Sequence, residues 1–228
     1  MSTDLSTENR QPLLNIGGLA KNQYATEDSL SELKTGSFTP YMKLYGNNSN
    51  EVKERKIAAG HYGVVDNKDL IDLGEAVNAI PIAWRWKAVR VIGDQFETYH
   101  NPNSDDYKSI KEAAKSKDQG NMEGPEVLLW LSDQKIFATW HMSNESARRE
   151  SGGLTSSLGS PVLLKWRLAS NKKFKWEAPV IMASSTPPAN LPDPAELARI
   201  SESFANPRET VSRSVDASTE ENVSTDRR

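Results

Sequence analysis

The sequence predicts a mainly β protein, a partly open β-barrel with one or two helices, carried between disordered N- and C-terminal arms. Three observations lead there. Apolar residues in the middle of the chain recur mostly with period two, the repeat of a strand, rather than 3.6, the repeat of a helix. All six tryptophans and all three histidines fall between residues 37 and 186. Hydrophobic residues make up only 36% of the 228, below the roughly 45–50% of an ordinary domain, so part of the chain is expected outside any core. The predicted organisation is a flexible arm over 1–36, a β-barrel core over 37–186, and a proline-rich linker, short helix and disordered tail over 187–228.

Each element has its own signal. Residues 1–36 are rich in Ser, Thr, Asn and Gln, with Leu13, Leu14 and Ile16 as the main apolar cluster, too little to offset the entropy of ordering. Seven strands follow by alternation, over 38–45, 60–65, 79–92, 126–131, 135–142, 161–169 and 173–183, several of them rich in aromatic and β-branched residues. Turn residues at 132–135 and 170–172 make the last four strands a meander or two adjoining hairpins. Asp105 to Lys117 reads as a helix because its acids come first and its lysines last, as the helix dipole favours. Asn144 to Glu150 starts on a good N-cap residue, and the glycine-rich run after it, 151–160, reads as a helix stop and loop. Four prolines in residues 184–194 suit an extended linker. Pro194 then opens a short amphipathic helix bearing Leu197, Ile200 and Phe204, stopped at Asn206-Pro207.

The chemistry of most enzymes is missing. The chain has no cysteine, so disulfides, thiolate nucleophiles, iron–sulfur clusters and cysteine-ligated zinc are excluded. It carries no G-x-S-x-G, P-loop or H-E-x-x-H motif. His61, His100 and His141 are far apart, and a single nearby carboxylate, Glu145, does not make His141 a metal site. A non-enzyme without cofactor is expected. No window is apolar enough to span a membrane, and a soluble, cytoplasmic protein is the expectation.

Charge is distributed unevenly. Residues 1–36 hold 3 basic and 5 acidic residues, 37–186 hold 20 and 18, and 187–228 hold 5 and 8, so the core is basic and the flanks acidic. Alternation places Ile80, Ile82, Trp84 and Trp86 on one strand face and Arg85 and Lys87 on the other. In the same way Val162, Leu164, Trp166 and Leu168 leave Lys165 and Arg167 opposite, and Phe174 and Trp176 leave Lys173 and Lys175 opposite. If these strands are neighbours, six cations line one side of a sheet, the arrangement a polyanion-binding face needs. Solvated strand faces carrying lysine by default are the plainer explanation. The first strand adds Tyr41, Lys43 and Tyr45 on one face, aromatics alternating with a cation, which suits base stacking or simply covers a barrel end.

Several short runs, Pro40-Tyr-Met-Lys-Leu44, Asn48-Ser-Asn-Glu-Val52, Gly60-His-Tyr-Gly63, Asp72-Leu-Gly-Glu-Ala-Val77 and Ile80 to Lys87, resemble a group of poorly characterised tailed-bacteriophage proteins. The resemblance covers about a third of the core. It implies an OB-like barrel, of the oligonucleotide-binding-fold single-stranded DNA-binding type used in phage DNA replication and recombination. The expected partners are then single-stranded DNA, through Tyr41, Lys43, Tyr45, Arg85, Lys87, Lys165, Arg167, Lys173 and Lys175, and replication or recombination proteins through 187–228. A virion structural or assembly protein, whose arms order on meeting other subunits, is the alternative.

Overall fold

The computed structural model describes residues 40–66, 69–92, 95–116, 120–185 and 191–206. The arms expected over 1–36 and beyond 206, residues 186–190 of the linker, and Phe38 lie outside the described residues. The protein is mainly β, as predicted, and its strands form one open sheet.

Nine strands make the sheet: β1 (Tyr41–Leu44), β2 (Tyr62–Asp66), β3 (Asp69–Gly74), β4 (Val77–Ile92), β5 (Gln95–Tyr99), β6 (Asn121–Leu131), β7 (Ile136–His141), β8 (Val162–Ser170) and β9 (Lys175–Ala183). They run in the order β3-β2-β1-β7-β6-β4-β8-β9, with β5 on β4, and only β1 and β7 pair in parallel. Sequence alternation missed β3 and β5, which are short and hold acidic residues among their apolar ones. The two C-terminal hairpins, β6–β7 and β8–β9, form as expected. They do not adjoin, because β4 lies between them.

The organising strand is β4, sixteen residues long. One side of it pairs with β6 from Ala79 to Arg90. The other pairs first with β8, at Val77 to Ala79, and then with β5, from Ala88 to Ile92. The free ends of the sheet are not joined by a strand ladder, yet they meet. The Tyr62 hydroxyl donates to the Lys165 carbonyl at 2.7 Å, the Asn47 amide donates to Glu177, and Gly60, at φ +84°, sits where a Cβ would fall 2.3 Å from the Trp166 ring. Coiling brings the ends together while the backbone stays open.

Two apolar layers result. The concave face buries Met42, Tyr62, Leu129, Leu131, Trp140 and Leu164. The opposite face buries Ile80, Ile82, Ala83, Leu128 and Trp130 beneath a helix. Four helices complete the described fold: α1 (Asn50–Lys53), α2 (Asp105–Lys115), α3 (Glu145–Thr155) and α4 (Pro194–Ala205). α2 and α3 form where predicted, with Ser104 and Asn144 as side-chain N-caps. α3 runs on through Ser151–Thr155, which sequence reasoning took for a loop; Leu154 is fully buried in the concave core, and that packing outweighs the low helix propensity of Gly152 and Gly153. The helix expected on a tether, α4, lies on the sheet, with Leu197, Ile200 and Phe204 over the second layer.

Candidate nucleic-acid interface

A single bulge decides where the β4 cations go. Pro81 faces Leu129 and Ala83 faces Leu128 on β6, so Ile82 is one residue too many. A bulge exchanges the two faces of every later residue. Ile80 and Ile82 therefore point under α4 while Trp84 packs on the concave core, correcting the expectation that Ile80, Ile82, Trp84 and Trp86 share a face. Trp84 and Trp86 remain together, edge to face with ring centroids 5.7 Å apart.

Arg85 and Lys87 do point away from those tryptophans, but into a buried ion cluster. Glu126 stands directly across from Arg85 and, on its other side, from His141. It is 2% exposed. Arg85 donates to it through Nε at 2.8 Å, and Lys87 through Nζ. The Arg85 guanidinium also stacks 4.0 Å from the centre of the Phe204 ring and donates to the Phe204 carbonyl, closing an otherwise open C-terminal carbonyl of α4. Burial by itself would raise the Glu126 carboxyl; Lys87 and then Arg85 more than offset it and hold it at about 2. Burial and the Lys87 charge press His141 down to about 4. Arg85 and Lys87 are thus committed inside the fold.

The tyrosine strand is corrected too. Tyr45, expected as a stacking ring, is 0% exposed and packed close against Gly63 and Ile57, since the connection from β1 to β2 folds over it. Burial first, then the nearby Glu51 and Tyr41 charges, push its hydroxyl well above the usual tyrosine range. Lys43 lies over that ring and is paired to Glu51 at 2.9 Å. Tyr41 is 40% exposed and sits beside Thr139 on β7.

The remaining cations are on the β8–β9 hairpin. Arg167 pairs with Ala178, Ala169 with Trp176 and Ser170 with Lys175, and paired residues share a face. Lys165 and Arg167 therefore lie on the same face as Trp176, while Lys175 lies on the other with Trp166 and Glu177. Trp166 and Trp176 do not share a face, and the expected row of six cations does not exist. Lys165 continues β8 beyond the residue paired with Val77, which puts it roughly 25 Å along the strand direction from Arg85 at about 3.3 Å per residue. Lys173 is not in a strand but in the turn, where the Asn171 carboxamide accepts from the Lys173 and Phe174 backbone amides.

Between Lys165 and Lys175 the chain has five cations, Lys172 included, and no acid. None of the five has an acidic partner among the described residues. Lys43, Arg85, Lys87, Arg90, Lys111 and Arg148 are by contrast all paired. Glu177, the next acid along the chain, is on the face opposite Lys165 and Arg167; it shares a face with Lys175 but is hydrogen-bonded by Asn47. Beside the cations stand Phe174, 67% exposed, and Leu168, 56% exposed. Sequence reasoning turned Phe174 inward; the two-residue turn at Lys172-Lys173, which fixes the hairpin register, was the signal that could have exposed it. Comparison with known protein families, with characterised proteins and with solved structures finds no match to this chain.

Proposed function

We propose that this protein binds single-stranded nucleic acid, without catalysing a reaction, through the β8–β9 hairpin. The observation that carries this is the set of five cations at 165–175 left without acidic partners among the described residues, in a chain whose net charge is −3 and whose other described strand cations are neutralised. Exposed cations without an acidic partner, here on both faces and at the turn of the hairpin, keep their full capacity to displace counterions from phosphates. Lys165, Arg167, Lys172, Lys173 and Lys175 take the phosphate-contacting role; Arg85 and Lys87 leave it for a structural one. Phage DNA replication or recombination is the setting that the sequence resemblance suggests.

Fluorescence anisotropy of a labelled single-stranded oligonucleotide tests the reading. Binding is expected at low salt, falling steeply as salt rises, and weaker at every salt in the K165A/R167A variant. A wild-type protein that binds no oligonucleotide at low salt would refute it. In that case the exposed Leu168, next to Lys175 on the other hairpin face, favours a protein partner and the virion-assembly reading.

A further inference from the structure

We infer that Phe174 is the base-stacking residue of the hairpin, and that it gives the site its preference for unpaired over duplex nucleic acid. The inference rests on the proposed nucleic-acid reading and adds to it the ligand's strandedness and the residue that selects it.

The register carries the argument. Asn171 donates its backbone N–H to the Phe174 carbonyl at 2.9 Å, continuing the β8–β9 pairing one step past Ser170 and Lys175. Alternation then puts Phe174 on the face of Trp176, which is also the face of Lys165 and Arg167. Large side chains at that end come from β9 alone. Across from Trp176 is Ala169, and across from Arg167 is Ala178, so no bulky residue of β8 or β9 stands over the two rings. The result is a cationic stretch running into an aromatic one along a single hairpin face.

Rigidity favours a stacking role over a chance exposure. The Asn171 side chain accepts from the backbone N–H of both Lys173 and Phe174, at 2.8 and 2.7 Å, a local turn that fixes the backbone presenting Phe174. Trp176 is fixed as well, its indole N–H donating to the Ser146 hydroxyl of α3 at 2.8 Å. A ring held on a fixed backbone loses little freedom when a base stacks on it. In a duplex both base faces are covered by neighbouring bases, so a ring can contribute only where bases are unpaired. The cations make no such distinction.

The test compares single-stranded and duplex oligonucleotides of the same length on the full chain. Phe174 is mostly exposed, so F174A is expected to fold like the wild type, with circular dichroism and thermal melting as controls. F174A should weaken single-strand binding by about ten-fold or more, leave duplex binding and the salt slope nearly unchanged, and be rescued by F174W. The F174W emission should be quenched by the single strand. K165A/R167A should instead weaken both ligands and flatten the slope. If K165A/R167A loses binding while F174A keeps wild-type single-strand affinity, the stacking inference falls and the nucleic-acid reading stands. If the wild type binds neither ligand at low salt, both fall. Equal wild-type affinity for the two ligands also overturns the inference.

Discussion

Glu126 shows how one carboxylate can remove two cations from a binding surface. It is buried between strands, and its charge persists only because Arg85 and Lys87 reach it. Removing one partner of such a cluster leaves the others buried and uncompensated, which costs about 3–5 kcal/mol. E126Q is therefore expected to lower unfolding free energy by about that much in chemical denaturation; a variant as stable as the wild type would show the cluster to be incidental. The same cluster sets an acid limit. Glu126 titrates at about 2 in the folded chain against an ordinary 4.5, so its contribution is complete above pH 4.5 and is lost as pH falls toward 2. His141 titrates at about 4 against 6.5. It contributes nothing above pH 6.5, while between pH 6.5 and 4 the unfolded chain takes up a proton that the folded chain refuses. Stability should fall by about 3 kcal/mol across that upper window. H141Q should make it shallower, with His100, also pressed down by burial, keeping part of the slope, and leave the lower one; a wild-type profile flat from pH 6.5 to 4 would contradict this.

Strands and helices were legible in the sequence wherever a single rule governs them. Period-two alternation locates β4, β6, β7, β8 and β9, the acid-first, lysine-last order of residues 105–117 locates α2, and the Asn144 cap locates α3. Faces were less legible, because they depend on one-residue events. The extra residue at Ile82 reverses everything after it in β4, and Pro81, which has no N–H to give a ladder, is the only local hint. The inward or outward placement of Trp166 and Trp176 depends on the cross-strand register, which neither strand encodes alone. Tyr45 was misjudged because the cover over it comes from the following connection, not from its own strand. The docking of α4 was equally out of reach, since its seat is made from β4, β6 and β7. That docking is modest: Leu197 is buried, Ile200 and Phe204 partly so. Deleting a buried leucine costs about 2–5 kcal/mol, but the loss is capped by the docking energy of α4, since the helix can leave while the concave core stays intact. L197A is therefore expected to speed tryptic cleavage at Arg199 with little shift in the denaturation midpoint of the sheet. A midpoint that fell together with faster cleavage would mean that α4 and the sheet unfold as one unit.

Taken as a whole, the molecule separates its charges by site rather than by sum. The core residues 37–186 are nearly balanced, yet the described acids are largely spent on interior or local pairs, and most of the cations without an ion pair among the described residues, all but Lys53, Arg55 and Lys135, are on one hairpin. The C-terminal residues 207–228 carry 5 acids and 4 bases, with Glu220 and Glu221 adjacent. They begin just past α4, whose face of the sheet is also that of Lys165 and Arg167 by the pairing of Asn78 with Leu163. Acidic residues of the chain can compete with phosphate for these cations, but exposed charges more than about 8 Å apart are largely screened at physiological salt. Deleting 187–228 would confuse this competition with the loss of α4, so the clean variant keeps the helix and neutralises Glu209, Asp216, Glu220, Glu221 and Asp226 as Gln or Asn. Its affinity for a single-stranded oligonucleotide is expected to exceed wild type at low salt, with the difference closing near physiological salt. In K165A/R167A the same five changes should have a smaller effect, because the cations they compete for are fewer. An undiminished gain in that background would place the acidic residues against some other surface, and no gain in the wild type would mean that the tail and the hairpin act independently.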